Sequence, residues 1–316
     1  MLPLWLKLAL IFGPLLHSLG AWAVVKPLPK GYLRLQGEAS QLKSDKSGTK
    51  IAFTDPKGFN LRFLDLATNK VYKISKHKVD GSFFWSPNGF RIFYRELVTV
   101  GEGNSALYSV VKVYDIHVKE STELDRFKGL SGYLTFDPRD LRFNLMHSKG
   151  VLQRRISFPG ERLAKWQLAQ RTDEGKFIGS QKSMLWLSHA GFTMRRLLDD
   201  ESGIQSFDIS PDGSSVVWAT YDGQIYLSRG GSHPIFVALG LDPKWHPESP
   251  IFIFSGIRKI GTKIVGYDLR LSDYDGKITS LTATGSSQER WPVWVGKESV
   301  VYSLSGTTDL YQIRLK

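Results

Sequence analysis

The chain has 316 residues, 41% of them hydrophobic, enough to bury a core as one large all-β domain or two ordinary ones. It carries 42 Lys and Arg against 30 Asp and Glu, a formal charge of +12, so its surface favours anionic partners: nucleic acid, lipid head groups, envelope polymers or an acidic protein. There is no cysteine, which excludes disulfides, thiol nucleophiles, Cys-ligated zinc, iron–sulfur clusters and a lipid-modified N-terminal cysteine.

Residues 1–23 hold a single charge, Lys7, then an apolar run from Leu8 to Leu16 interrupted by Gly13 and Pro14. Ala21 and Ala23 flank Trp22 and supply small residues at the two positions a signal peptidase reads. This pattern predicts a secretory signal peptide cleaved after Ala23, with residues 24–316 as the mature, periplasmic or secreted domain. The apolar stretch is short for a bilayer span of about 20 residues. No later segment approaches that length, so no transmembrane span is expected once the signal is removed.

Beyond residue 30 one pattern recurs: an aromatic or aliphatic strand, a turn of the type Ser-Pro-Asp-Gly, and a second short strand. The clearest turns are Ser86-Pro87-Asn88-Gly89 and Ser210-Pro211-Asp212-Gly213. Weaker copies are Asp137-Pro138-Arg139-Asp140 and His246-Pro247-Glu248, and eroded ones begin at Ser44, Thr172 and Val295. Proline presets the first corner and ends the strand before it, Asp or Asn bonds the local backbone, and glycine accepts positive φ. Flanking segments alternate and are rich in Val, Ile, Phe, Tyr and Trp, as strands are. No long segment has a helical apolar period, so helix is expected to be nearly absent.

The seven turns are spaced by about 42 residues on average, the period of a four-stranded propeller blade. Each repeat continues into another hairpin, as in Leu61–Leu66 with Val71–Ile74, Val111–Ile116, Met184–Leu187 and Val265–Leu269. The predicted fold is all-β: a single β-propeller of seven four-stranded blades, with six as the alternative because the copies near 173 and 295 are eroded. The seventh repeat ends with Leu310–Leu315 and lacks a fourth strand, while Tyr32–Leu35 has no repeat of its own. That N-terminal strand is expected to pair with the C-terminal blade and close the ring, leaving no exposed edges.

These turns resemble the TolB-type, WD-like propeller repeats of periplasmic proteins, whose consensus centres on Trp-Ser-Pro-Asp-Gly. Ser86–Gly89 and Ser210–Gly213 carry the resemblance most closely. It implies a docking platform for envelope proteins. TolB itself has an α/β domain ahead of its propeller; here the repeats begin soon after the signal, and no such domain is expected.

Propellers host hydrolases, lyases and pure scaffolds, so function has to come from motifs. There is no G-x-S-x-G and no H-E-x-x-H. Gly101–Ala106 fits a loose dinucleotide fingerprint, but a β-rich segment follows it where a helix is required. The mature histidines, His77, His117, His147, His189, His233 and His246, are scattered singly; His246 takes a Ser position in the repeat turn, where a structural role is expected. Asp273 and Asp275 before Gly276 read as a hairpin turn, because a calcium loop needs further oxygen ligands and Lys277 enters instead. Sialidase-type repeats place Asp and Gly at other offsets, and Trp85, Trp245 and Trp294 read as packing between blades rather than a carbohydrate platform. No cofactor or metal is implied.

Charge is the remaining signal. Lys26 to Asp80 holds twelve Lys and Arg against five Asp and Glu, more than half of the mature excess. Lys76, His77 and Lys78 fall in the link to the second repeat, and Arg95, Arg258, Lys259 and Arg290 in other predicted loops, as candidate binding residues for an anion. The expected function is a non-enzymatic, monomeric binding or scaffold module for a protein or anionic polymer of the cell envelope, with nucleic acid disfavoured. The alternative is a propeller enzyme acting on a glycan or small molecule, with carboxylates gathered in the central channel.

Overall fold

A computed structural model describes residues 25–27, 39–79, 83–86, 88–101, 106–129, 134–137, 142–147, 150–155, 167–168, 177–181, 184–188, 195–199, 203–212, 214–229, 232–285, 287–307 and 309–315. For 25–27 and for the strands between 134 and 199 it describes the backbone. The signal segment, including Ala21 and Ala23, lies outside these residues, as do Tyr32–Leu35 and the turn at 172–176.

The described chain is strand and turn throughout. After β1 (Val25–Pro27), strands β2 (Ser40–Ser44), β3 (Lys50–Thr54), β4 (Leu61–Asp65) and β5 (Lys70–Ser75) form one antiparallel meander. A second contains β6 (Phe83–Trp85), β7 (Arg91–Val100), β8 (Ala106–Asp115) and β9 (Glu120–Lys128). A third contains β10 (Leu134–Asp137), β11 (Arg142–His147), β12 (Gly150–Arg155) and β13 (Gln167–Leu168). Then comes a three-stranded sheet of β14 (Phe177–Gln181), β15 (Met184–Ser188) and β16 (Arg195–Asp199).

A seven-stranded sheet follows: β17 (Ile204–Ile209), β18 (Ser215–Thr220), β19 (Gln224–Arg229), β20 (Ile235–Trp245), β21 (Ile251–Ile260), β22 (Lys263–Asp273) and β23 (Ile278–Ser280). Strand β20 serves two four-stranded meanders at once. Its first half, Ile235 to Leu239, pairs with β19, and its second half, Gly240 to Trp245, pairs with β21. The last sheet holds β24 (Glu289–Val295), β25 (Ser299–Leu304) and β26 (Leu310–Arg314). Its fourth strand is β1, in the register Val25↔Ile313, Lys26↔Gln312, Pro27↔Tyr311. The strand that pairs with the C-terminal one is therefore upstream of Tyr32–Leu35.

The strands carry unbroken apolar runs because their sheets are buried on both faces. Side chains alternate between faces, so adjacent residues enter different cores. Ile51, Phe53 and Leu64 pack with Val293, Val301 and Leu310 of the last sheet. Ala52, Leu61 and Phe63, their chain neighbours, pack with Phe83, Trp85, Ile92 and Tyr94 of the second sheet. In β21, Phe252 and Phe254 join Val217, Ile225 and Leu227, whereas Ile253 joins Trp294, Val300 and Ile313. The first meander thus stacks face to face on the second, the two halves of the seven-stranded sheet on one another and on the last sheet, and the first sheet on the last.

Three of the stretches that open a meander share a bulge that sequence does not reveal. Gln41, Asp242 and Trp291 have φ of 56°, 56° and 58°, each at a register shift within β2, β20 and β24. Each lies four positions before the repeat turn.

Candidate binding face

Because every meander is antiparallel, its connections alternate between the two ends of the sheet. The described repeat turns, at Asp45, Ser86, Ser210, His246 and Val295, lie at the same end of their meanders, and neighbours among them touch. Backbone bonds Asp45 N to Lys50 O, Ser86 N to Arg91 O, Ser210 N to Ser215 O and His246 N to Ile251 O show that three different residue types, Asp, Ser and His, occupy one structural position. Each supplies a side-chain acceptor inside its turn. Asp45 Oδ1 accepts from Thr49 N and Lys50 N at 2.8 Å, Ser86 Oγ from Arg91 N at 2.9 Å, and Ser210 Oγ from Ser215 N at 2.9 Å. His246 Nδ1 accepts from Glu248 N and Ser249 N at 3.0 and 2.8 Å. Its Nε2 lies 2.9 Å from Lys297 O in the last sheet, so both ring nitrogens are engaged and the histidine is structural.

Neighbouring turns touch. A Cβ on Gly48 would lie 2.0 Å from Gly296 N, and one on Gly89 would lie 2.8 Å from Asp45 Oδ2. The tryptophans do what packing residues do: Trp85 Nε1 donates to Lys43 O at 2.8 Å, and Trp294 Nε1 to Lys244 O at 3.2 Å, each reaching the preceding sheet. Trp245 is buried against Phe252 and Tyr274. Asp273 spends its Oδ1 on Asp275 N and Lys277 N, which is hairpin chemistry. A cleft of about 520 Å³ opens here between His246, Trp294, Lys297 and Arg314. Its cations are matched by acids, Lys297 by Glu248 at 2.7 Å and Arg314 by Glu298 at 3.3 Å.

The opposite end holds the residues singled out for binding. Lys76 and Lys78 are exposed in the link between β5 and β6, with His77 half-buried between them. The link is anchored: Ser75 Oγ accepts from His77 N at 3.0 Å and donates to the buried Glu96 at 2.5 Å, while Lys112 forms an ion pair with Glu96. Val79 N donates to Gly58 O at 2.7 Å, which brings the exposed Lys57 of the β3–β4 turn beside Lys78. Lys57, Lys76 and Lys78 make no ion pair among the described residues.

Arg95, Arg258, Lys259 and Arg290 are not in loops. They lie within β7, β21 and β24. Arg95 is buried. Arg258 pairs with Asp268 at 3.2 Å, and Arg290 Nε donates to the buried Asp242 at 2.8 Å while its guanidinium stacks on Tyr267 and Trp291. Of the four, Lys259 alone is fully exposed.

Sequence reasoning missed a buried polar cluster between β22, β24 and the segment joining them. Glu289 accepts from Thr284 Oγ1 at 2.9 Å, from Leu269 N at 3.2 Å and from Thr282 Oγ1. Burial pushes its carboxyl above the usual range, against these hydrogen bonds, and nearby Asp268 adds to the rise. Asp268 also accepts from Thr284 N at 3.3 Å. The arrangement pins the connecting segment across the sheet end. Among the described residues no three His, Cys, Asp or Glu side chains gather in a form that could hold a metal ion, and no helix is long and apolar enough to cross a membrane.

Compared by sequence, the chain matches no family model and no curated protein. Among solved structures it is similar to the Cps50 (Swd1) β-propeller domain of Myceliophteria thermophila, at 12% identity and a TM-score of 0.59. The match covers 92% of this chain and 100% of that one. With the face-to-face antiparallel meanders, this likeness makes the fold a β-propeller, an architecture compatible with a binding or scaffold module.

Proposed function

We propose that the chain is an exported, non-enzymatic β-propeller with TolB-type repeats, acting as a binding module for a protein or anionic polymer of the cell envelope. In this reading it has seven blades: the seven-stranded sheet counts as two, β14–β16 as one, and β1 closes the ring by completing the last. The observation that carries the functional reading is a set of exposed lysines that pair with no acid among the described residues: Lys76 and Lys78 on an anchored link, and Lys57 on the turn bonded to it. Arg258 and Arg290, by contrast, have their charge met by internal carboxylates. Lysines on a segment held by backbone bonds attract an anionic partner while leaving less backbone to be ordered on binding.

The test is capture from a lipid-free envelope extract with the tagged protein and its Lys76→Glu/Lys78→Glu variant. Capture should fall in the variant and as salt rises toward about 0.5 M, where the screening length drops below its roughly 8 Å physiological value. The melting temperature should hardly move, since exposed charges contribute little to stability. A partner retained equally by both proteins at both salt levels would refute this assignment.

A further inference from the structure

The hairpin joining β21 and β22 is the second feature at this end of the sheets, and the Lys76 link plays no part in it. Its strands run 10 and 11 residues, against 5 or 6 in the first sheet, and they end in Lys259-Ile260-Gly261-Thr262-Lys263-Ile264, every residue of which is exposed. Ile260 is 74% exposed and Ile264 46%. A hairpin tip is ordinarily polar, since its side chains face water and gain nothing by being apolar. Gly261 turns the corner at φ +61°, and a Cβ there would meet nothing within 4 Å, so the tip stands clear of the rest of the molecule.

The register tells what could cover it. Ile260 pairs with Lys263, and Lys259 with Ile264. Directly opposed residues project from the same face of a two-stranded ribbon. Each face of the tip therefore presents one isoleucine beside one lysine. A protein groove covers one face of a ribbon and would leave the other isoleucine in water. A lipid interface surrounds an inserted tip on all sides, taking both isoleucines into its acyl boundary while the lysine stems let their ammonium groups reach the head groups. Neither Lys259 nor Lys263 pairs with an acid among the described residues, so their charge remains for an anionic surface.

The neighbouring hairpin adds a third contact. Tyr221 is 72% exposed in the turn between β18 and β19. That turn packs on the stem of the long hairpin, where a Cβ on Gly223 would sit 2.5 Å from Ile257 Cδ1. Tyrosine is a residue of the membrane–water boundary, with its ring in the interface and its hydroxyl wet. The equally long β7–β8 hairpin ends instead in Gly101-Glu102-Gly103-Asn104, so an apolar cationic tip is not a by-product of strand length.

We propose that the Lys259–Ile264 tip, with Tyr221 beside it, inserts into the interface of a bilayer containing anionic phospholipid and docks the propeller on that surface. Because the chain has no cysteine, Ile260→Cys gives a unique site for an environment-sensitive fluorophore. The labelled protein should shift its emission to the blue with vesicles of phosphatidylcholine and phosphatidylglycerol, and much less with phosphatidylcholine alone. In co-sedimentation of the unlabelled protein, Lys259→Gln/Lys263→Gln should lower affinity for the anionic vesicles by roughly fivefold per lysine. Ile260→Ser/Ile264→Ser should lower it by about tenfold or more. The melting temperature is the control, since all four side chains are exposed. Failure of the label to respond to anionic vesicles would overturn the proposal, as would sedimentation indifferent to both double variants. Concentration-dependent self-association abolished by Ile260→Ser/Ile264→Ser, with no vesicle binding, would assign the tip to a second copy instead. Lys76→Glu/Lys78→Glu should leave a tip-specific fluorescence shift in place, so this inference and the proposed envelope partner can fail separately.

Discussion

Gly48 and Gly296 form a matched pair through which the contact between the first and last sheets can be measured. Both hold the left-handed backbone, at φ +66° and +67°, so alanine at either costs about 1–2 kcal/mol for conformation alone. They differ in what the new methyl would meet. On Gly296 it would meet nothing within 4 Å, whereas on Gly48 it would lie 2.0 Å from Gly296 N and 2.8 Å from the Val295 carbonyl carbon. Those are backbone atoms and cannot rotate away, so the turns of the two sheets must separate by roughly 1 Å or more, an overpacking cost of about 1–3 kcal/mol. Gly48→Ala should therefore cost about 2–5 kcal/mol in total and Gly296→Ala about 1–2 kcal/mol. At roughly 2 °C per kcal/mol for a chain of this size, thermal melts should fall by about 4–10 °C and about 2–4 °C. Equal losses would refute the reasoning, because they would mean that the first turn does not abut the last.

The turn position occupied by His246 can be tested by exchange. His246→Ser keeps an acceptor for the turn and loses the bond to Lys297 O, so it should be more stable than His246→Ala by about 1 kcal/mol in urea unfolding. Glu289 gives a pH signature. Its carboxyl is raised by burial, so its contribution to stability is full below the unfolded value of about 4.3 and is lost as pH rises through the folded value. Glu289→Gln should consequently melt above the parent at pH 8, with the difference shrinking toward pH 4; a difference that is constant with pH would exclude a raised carboxyl. On the proposed export, N-terminal sequencing of the soluble protein should begin at Val24, and an intact Met1 would rule out cleavage.

The propeller is legible in the sequence where the turn chemistry is local. Ser86–Gly89 and Ser210–Gly213 carry their acceptor, corner and glycine within a few residues, so the pattern is visible without tertiary knowledge. It fades at Asp45 and His246 because the requirement is an acceptor for a backbone N–H, and a carboxylate or an imidazole meets it as well as a hydroxyl. The boundary inside β20 is invisible for a different reason. No turn separates the two meanders: the chain passes from one to the other between Leu239 and Gly240 without leaving the strand. Val25–Pro27 is too short and too mixed to register as a strand; it is one because it completes the edge of β26.

Charge was the weakest guide to the site because sequence counts ionised groups and not the acids they meet. Arg290 finds Asp242 from 48 residues away, across two sheets, and Arg258 finds Asp268 across a hairpin ten residues apart. Arg258 thus ties β21 to β22, and Arg290 ties β24 to β20. Among the exposed lysines that pair with no acid in the described residues, two groups stand at the end of the sheets opposite the repeat turns: Lys57, Lys76 and Lys78 at one hairpin and link, Lys259 and Lys263 at another. These two groups differ in what lies beside them. The first surrounds a backbone anchor formed by Gly58, Val79 and Ser75, and suits a partner recognised by charge. The second flanks exposed isoleucines on both faces of a ribbon, and suits an environment that is anionic and apolar at once. The same net charge thus resolves into two surfaces with different chemistry, and only the paired register of the strands separates them.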